Sequence, residues 1–172
     1  MAIDRIELNF MRLPYVHFFE TSFGRSYDRT FIIVRVYEDG LIGYGECVAE
    51  EKPLYSGETT ETAWHILKDF LVPLVFSRGI VEPEDFYNAA KIFKENRMAK
   101  AGLELALWDL KAKKLGLPLY KLYGGIREEI AAGVSAGIED SIPDLLNMIE
   151  NYRSQGYERI KIKIKPGWDI EV

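Results

Sequence analysis

The sequence predicts an α+β domain, made of an antiparallel strand meander and packed helices, followed by the beginning of a parallel α/β domain. Three observations indicate this division. Residues 1–48 contain runs in which apolar and polar side chains alternate, the period of half-buried strands. Residues 59–123 instead carry the apolar stripes and capping residues of helices. From residue 131 a strand, a helix and a second strand follow one another within about 35 residues, the order of a βαβ unit.

Composition and charge exclude several classes of function. The chain has 172 residues and a net charge of −5, so neither a nucleic-acid surface nor an anionic membrane surface is indicated. The single cysteine, Cys47, excludes an internal disulfide and favours a reducing compartment. The N-terminus lacks the pattern of a secretory signal, and no apolar run is long enough to span a bilayer. We therefore expect a cytoplasmic protein.

The meander is predicted by two strands and the turn between them. Residues 30–38 are rich in β-branched and aromatic side chains, which favour strands. Asp39 and Gly40 are the residues that a two-residue type I′ turn requires. Residues 41–48 then form the returning strand. Together with an alternating strand near the N-terminus, they predict an antiparallel meander of three strands.

Helices are predicted from their capping residues, prolines and stripes. Thr59 is placed to cap the first helix, and Pro73 is expected to end or kink it. Pro83 stands where a second helix would begin. The strongest helical pattern runs from about residue 98 to residue 115. It carries a stripe of leucines beside a stripe of small residues, where another backbone could approach closely: Leu103, Leu107, Leu110; Ala99, Gly102, Ala106.

The last part of the sequence reads as a βαβ unit. Residues 131–138 form a short apolar run, Ser141 is placed to cap a helix, and Gly156 is placed to close it. A second strand follows in residues 158–165. Parallel strands are normally covered on both faces within a large sheet, so two of them do not make a fold. We therefore expect the chain to end inside a parallel α/β domain.

The second of these strands has a lysine at every other position. Lys161, Lys163 and Lys165 share one face of the strand, because residues two apart point the same way. Such a face also suits a solvated edge strand, in which lysines prevent pairing with other edges. The alternative is catalytic. A neighbouring ammonium and partial burial lower a lysine's pKa from about 10.4, and an amine of pKa about 7–8 removes protons near neutral pH.

Three motifs together resemble the enolase superfamily and its muconate-lactonizing subgroup. The segment of residues 101–125, AGLELALWDLKAKKLGLPLYKLYGG, resembles the helix and crossing segment that join capping domain to barrel. Gly43–Glu46 resembles part of the third capping strand, and Lys161–Lys163 resembles the subgroup's Lys-x-Lys motif. The string through Asp169 looks most like the branch of o-succinylbenzoate synthases and N-acylamino acid racemases.

The resemblance implies a fold and a reaction. The fold is an α+β capping domain, residues 1–125, followed by the first β/α/β segment of a modified (β/α)₈ TIM barrel, residues 126–172. In the reaction a base removes the proton α to a carboxylate, and Mg²⁺ stabilises the enediolate. Lys163 matches the acid/base lysine and Lys161 its electrostatic partner. Lys165 falls outside the matched pair, and we interpret it as solvated or leaving the barrel.

The resemblance also implies substrate-binding residues. The stretch around Tyr55 matches a second capping loop, and from the first loop Phe19, Ser22 and Phe23 are expected to bind substrate. The residues that match the first loop are Phe18, Phe19, Thr21, Ser22, Phe23 and Gly24. Ser135, on the first barrel strand, is expected at the same cavity. For each loop residue alone, ordinary packing is an equally good interpretation. The implied substrate is a small-molecule carboxylate, and we expect a homo-oligomer.

The resemblance places the carboxylate ligands of the metal on the third to fifth barrel strands, which the 172 residues do not include. We therefore assign no metal ligand, and we expect this chain alone to be inactive although its complete parent is a magnesium-dependent enzyme of menaquinone synthesis. Muconate cycloisomerase and dipeptide epimerase are alternatives, as is a non-catalytic binding or structural module. We also expect residues past about Gly125 either to be disordered or to pair with another chain.

Overall fold

The computed structural model describes residues 2–172, and their elements follow the predicted order. The strands are β1 (Arg5–Thr21), β2 (Gly24–Glu38), β3 (Leu41–Cys47), β4 (Gly133–Ala136) and β5 (Arg159–Ile162). The helices are α1 (Thr60–Ile66), α2 (Val72–Arg78), α3 (Pro83–Ala90), α4 (Arg97–Lys114), α5 (Leu119–Leu122) and α6 (Ile142–Ser154). The chain divides into two compact units, the first formed by the residues up to Leu13 with Thr30–Ile126, the second by Pro14–Arg29 with Arg127–Val172.

The sheet of the first unit is the predicted meander, with strands in the order β1-β2-β3. β2 and β3 are antiparallel, and Glu38 pairs with Leu41 across the turn. Asp39 and Gly40 have φ values of 49° and 78°, so both central residues are left-handed, as a type I′ turn requires. From Thr30 to the end of β2 every second residue is buried: Thr30, Ile32, Val34, Val36 and Glu38. The period-two prediction for this strand is therefore confirmed.

Glycines let β3 lie directly on the backbone of α4. A Cβ atom on Gly45 would overlap the carbonyl oxygen of Gly102 and lie 2.7 Å from the backbone nitrogen of Ala106. A Cβ atom on Gly102 would in turn lie 3.0 Å from the Cβ of Cys47. The close approach predicted for the small-residue stripe of α4 is confirmed, and its partner is the glycine-containing strand β3.

The helix start at Thr59 is confirmed, while the effect of Pro73 differs from a simple helix end. The Thr59 hydroxyl accepts a hydrogen bond from the backbone N–H of Thr62, and the Thr62 hydroxyl accepts one from that of Thr59, which makes a capping box. A π-helical turn, Leu67–Leu71, then joins α1 to α2 without a break. Pro73 lies in the first turn of α2, where its missing N–H costs little.

The apolar core of the first unit lies between its sheet and its helices. Its largest fully buried apolar side chains include Phe86, Ile32, Leu67, Leu71, Leu103, Leu107 and Leu110. Burying a side chain of this size is worth about 1.5–3 kcal/mol. None of the helices in residues 2–172 combines the length and apolar character that a membrane-crossing segment needs.

The second unit contains the predicted βαβ segment. β4 and β5 are parallel, α6 connects them, and the Ser141 hydroxyl caps α6 by accepting from the backbone N–H of Asp144. Ala136, Ile138 and Leu145 are buried. Residues 14–29, the tip of the β1–β2 hairpin, belong to the same compact unit as this segment. The expectation that residues past about Gly125 are disordered or pair with another chain did not consider these residues, and it stays a prediction.

Candidate functional site

Two lysines and a serine share one face of the parallel strand pair. Ser135 of β4 stands opposite Lys161 of β5 in the parallel register, so their side chains project to the same side. Lys163 follows β5 directly, and its backbone N–H donates to the carbonyl of Ala136 at 3.2 Å, which extends the pairing. The structure therefore brings together Ser135, Lys161 and Lys163 on one face, which we call the lysine face.

The amine of Lys163 lies against an aromatic ring from the hairpin. Its Nζ atom is 3.3 Å from the centre of the Phe19 ring, a cation–π contact. Burial lowers the pKa of Lys163 below its ordinary value, and the positive charge of Lys161 lowers this pKa further. Both causes disfavour the charged form and favour the neutral amine, which is the form that accepts a proton. Within the second unit the neutral form of this amine is therefore favoured more than that of an ordinary lysine.

Lys165, which the sequence analysis interprets as solvated or leaving the barrel, has an acidic partner in the structure. Its Nζ atom is 2.5 Å from Oε1 of Glu20, and the lysine side chain is 38% exposed. Glu20 itself is buried, with 8% of the residue exposed. A buried carboxylate needs a cation beside it to offset its desolvation, and Lys165 meets that need.

Glu20 also has a second cation, which extends the pair into a network. Arg25 donates through Nε to Glu20 Oε2 at 2.6 Å and through Nη2 to Asp140 Oδ1 at 2.5 Å. Hydrogen bonds from Lys165 and Arg25 lower the pKa of Glu20, and the one from Arg25 lowers the pKa of Asp140. We call these residues the hairpin latch: Glu20, Arg25, Asp140 and Lys165. Both carboxylates are therefore held in their charged form.

We expect acid to break the ion pairs of the hairpin latch. The folded-state pKa values of Glu20 and Asp140 lie below the ordinary values of 4.5 and 3.8. Their stabilising contribution is therefore fully present above those ordinary values and is lost as the pH falls through the lower folded values. The Nε–H proton of Arg25 is expected to have an NMR chemical shift displaced from that of an exposed arginine at pH 6, and this displacement is expected to disappear as the pH falls below those ordinary values. The Arg153 Nε–H serves as the control, and a displacement of the Arg25 signal that survives after both carboxylates have titrated would contradict this prediction.

The remaining predicted binding residues lie on the hairpin turn and in the first unit. The segment expected as a first loop is the tip of a continuous hairpin, with Ser22 and Phe23 in its turn. The Phe23 side chain is exposed. Tyr55 belongs to the first compact unit, where its side chain is 74% exposed. The structure therefore joins Phe19 to the lysine face within one unit, while Tyr55 belongs to the other unit.

Sequence reasoning missed the residue that anchors the segment after Tyr55. The carboxylate of Glu58 accepts hydrogen bonds from the backbone N–H groups of Met98 and Ala99, at 2.9 and 2.8 Å. These groups lie in the first turn of α4, whose N-cap residue, Asn96, makes no side-chain cap. A carboxylate at a helix N-terminus is stabilised by the helix dipole as well. No short motif marks this contact, because 40 residues separate Glu58 from Met98.

The described residues provide no evident metal centre. Within residues 2–172, no group of three His, Cys, Asp or Glu side chains is arranged to hold a metal ion. Cys47 is buried, and burial raises the pKa of its thiol to about 11, so it is neither a thiolate ligand nor a nucleophile near neutral pH. The donor set for Mg²⁺ that the resemblance implies is therefore not met by these residues.

The meander with its helices, followed along the chain by a parallel strand that carries paired lysines, matches a known family. Residues 6–124 match the family "Mandelate racemase / muconate lactonizing enzyme, N-terminal domain". The chain therefore belongs to the mandelate racemase and muconate lactonizing enzyme family. This finding confirms the capping-domain fold that the sequence predicted.

Proteins of known name cover the whole of this chain. It is 47% identical over 171 residues to an o-succinylbenzoate synthase of Geobacillus kaustophilus, and the match covers 99% of this chain and 46% of that protein. It is 45% identical to an N-succinylamino acid racemase of Thermus thermophilus, with coverage of 100% and 47%. The chain thus spans about half the length of the curated relatives it matches.

Solved structures agree with this assignment. An enolase-superfamily protein from Listeria innocua has a TM-score of 0.89 and 38% identity, and the match covers 99% of this chain and 46% of that one. A dipeptide epimerase from Enterococcus faecalis, solved with Mg and a dipeptide, has a TM-score of 0.82 and 25% identity, with coverage of 97% and 47%. The fold of this chain is therefore that of the corresponding half of enolase-superfamily enzymes.

Proposed function

We propose that the complete protein containing this chain is an o-succinylbenzoate synthase that also racemises N-acylamino acids. The synthase reaction dehydrates a cyclohexadiene hydroxy-carboxylate. Both reactions begin with removal of the proton α to a carboxylate, so one base can serve both. Relatives of both names, at 47% and 45% identity, support the pairing of the two activities.

The observation that carries this proposal is the environment of Lys163. Its amine faces the same side as Lys161, lies on the Phe19 ring and has a pKa lowered by burial and by the Lys161 charge. A base of lowered pKa acts more effectively near neutral pH than an ordinary lysine. We assign Lys163 as the base that takes the α-proton, and Lys161 as the charge that keeps it neutral. Phe19 and Ser135 are proposed to line the substrate side of the lysine face.

We further propose the domains, the substrate contacts and the metal of the complete protein. Residues 1–125 would form the capping domain and residues 126–172 the start of the barrel. Ser22 and Phe23 on the hairpin turn, together with Tyr55, are proposed to contact the small carboxylate substrate. The metal would be Mg²⁺, held by residues beyond those described here. A homo-oligomer in the cytoplasm fits the family, and the buried thiol of Cys47 fits a reducing compartment.

The experiment that tests the proposed function compares substrates on the complete protein with Mg²⁺. The ratio kcat/KM is measured for dehydration to o-succinylbenzoate, for racemisation of N-succinyl amino acids, for muconate cycloisomerisation and for dipeptide epimerisation. We expect the first two values to exceed the others by orders of magnitude. A higher value for muconate or for a dipeptide would replace the proposal with that activity, and no turnover of any substrate would favour a binding module.

We expect residues 1–172 alone to show no turnover of either proposed substrate, even with Mg²⁺ added. The described residues offer no cluster that could hold the metal. Metal ions in such sites stabilise charge that develops in the transition state, and losing that stabilisation removes most of the rate enhancement. The complete protein, assayed at the same concentration, is the positive control. Activity of residues 1–172 well above background would contradict this expectation.

A further inference from the structure

The hairpin latch contains a carboxylate whose burial needs an explanation. Glu20 is 8% exposed, yet it is charged and bonded to two cations, Lys165 at 2.5 Å and Arg25 at 2.6 Å. Exchanging a buried ion pair for apolar side chains is often neutral or stabilising, so such a pair is weak evidence for stability. Buried ionic groups serve in some proteins to fix one arrangement out of several. A role in fixing one arrangement of the second unit would explain why Glu20 is buried and paired.

The latch joins three parts of the second unit that are distant in the sequence. Glu20 lies near the end of β1 and Arg25 near the start of β2, on the two sides of the hairpin turn. Asp140 immediately precedes the N-cap of α6, and Lys165 follows β5. The hairpin tip is thus bonded through Arg25 to the loop after β4 and through Glu20 to the segment after β5. The second of these bonds ends at Lys165, two residues after Lys163.

Two adjacent residues of β1 contact the two lysines that follow β5. Phe19 places its ring 3.3 Å from Nζ of Lys163, and the next residue, Glu20, bonds Lys165 two positions further on. An exposed cation–π contact alone is worth only about 0.5–1 kcal/mol, too little to hold the end of β1 against the segment after β5. The charged hydrogen bonds of Glu20 are stronger and directional. They are therefore suited to fix the position of the ring beside them.

We propose that Glu20 is a positioning residue that holds the Phe19 ring against the amine of Lys163. Of the two lysines after β5, Lys165 is bonded to Glu20, and Lys163 has its amine on the Phe19 ring. This inference rests on the proposed role of Lys163 as the base. The hairpin then has a second role besides contact with substrate. It keeps water away from the Lys163 amine.

The first test is spectroscopic and uses the 172-residue chain. A ring stacked on the amine shifts the ε-methylene protons of Lys163 upfield of those of the other lysines. We expect Glu20→Gln to abolish this shift, as does Phe19→Leu, which removes the ring. The matched control is Glu150→Gln, which removes the exposed carboxylate of the Glu150–Arg153 pair in the same unit and should leave the shift unchanged.

A second variant keeps the test decisive if Glu20→Gln does not fold. Lys165→Met cuts the same hydrogen bond from the other side and leaves the Glu20–Arg25 bond in place. We expect it to reduce the upfield shift of Lys163. An upfield shift that is unchanged in whichever of these two variants folds would overturn the inference.

The third test uses the complete protein and measures exchange of the substrate α-proton. We expect Glu20→Gln to slow exchange by up to about 10²-fold, the size of effect that a small misplacement near a reacting group produces. Phe19→Leu should slow exchange to a similar extent, and adding Glu20→Gln to Phe19→Leu should slow it little further, because the ring that Glu20 positions is already absent. Slowing by the two substitutions that multiplies in the double variant would overturn the positioning role.

The two proposals fail in different ways. If Lys163→Ala exchanges the α-proton as fast as the unmodified protein, the proposed function fails, whatever the NMR shifts show. If Lys163→Ala is inactive and the Lys163 shift survives Glu20→Gln, only the inference about Glu20 fails.

Discussion

Replacing Lys163 with alanine in the complete protein is expected to lower kcat for dehydration by roughly 10²–10⁴-fold, the contribution of a general base. The structure supports this choice because Lys163 has a pKa lowered by burial and by Lys161. We expect Lys161→Ala to be severely damaging too, with the basic pKa of the pH–rate profile moved upward, since its charge no longer opposes protonation of Lys163. Steady-state kinetics over a pH series measure both effects.

The matched control is a lysine that also lies on an aromatic ring but outside the lysine face. Lys91 places its Nζ atom 4.4 Å from the centre of the Tyr87 ring, in the first unit. Lys91→Ala should retain the activity of the unmodified protein. Equal losses for Lys91→Ala and Lys163→Ala would indicate a general effect on folding and would contradict the assignment of a base.

Gly45→Ala is expected to destabilise the first unit strongly. The added Cβ atom would overlap the carbonyl oxygen of Gly102, and its next neighbour, the Ala106 nitrogen at 2.7 Å, is also backbone. Neither can rotate away, so α4 must move off β3. Overpacking of this kind typically costs about 1–3 kcal/mol and occasionally more, and we expect a value at or above the upper end. Urea unfolding followed by circular dichroism measures the change.

Gly57 provides the matched control for this substitution. A Cβ atom there meets nothing within 4 Å, and Gly57 is not among the glycines with positive φ. Gly57→Ala should therefore unfold at the same urea concentration as the unmodified chain, or slightly above it, because alanine restricts the unfolded state more than glycine does. A Gly45→Ala chain that unfolds at that same midpoint would show that β3 and α4 can separate at little cost.

The first unit could be predicted from the sequence because its signals are local. The turn at Asp39 and Gly40 and the capping residue Thr59 each act within a few residues, where pattern and conformation correspond directly. The small-residue stripe of α4 was also visible, although its partner was not. The glycines of β3 have no side-chain pattern of their own, and only the fold shows that they and the stripe meet.

The lysine face could be predicted in part. Alternation placed Lys161 and Lys163 on one side of a strand, and the parallel register adds Ser135 to them. The partner of Lys165 could not be predicted, because 145 residues separate it from Glu20. Periodicity describes which face a side chain takes within one element. It carries no information about which distant element will cover that face.

The buried carboxylate on the hairpin tip could not be predicted either. The resemblance of the tip to a capping loop indicated residues that contact substrate, yet it gave no reason to expect a buried carboxylate at Glu20. An acidic residue in a strand is ordinarily predicted to face solvent. Its burial becomes understandable only beside Lys165 and Arg25, which come from other parts of the second unit.

The central claim is that the amine of Lys163 removes the α-proton of a carboxylate substrate. Solvent deuterium incorporation at the substrate α-carbon, followed by NMR in the complete protein with Mg²⁺, measures this step directly and does not depend on later chemistry. The account predicts incorporation in the unmodified protein and in Lys91→Ala, and its loss in Lys163→Ala. Incorporation at the unmodified rate in Lys163→Ala would contradict the account and place the base elsewhere, with Lys165 the first residue to examine.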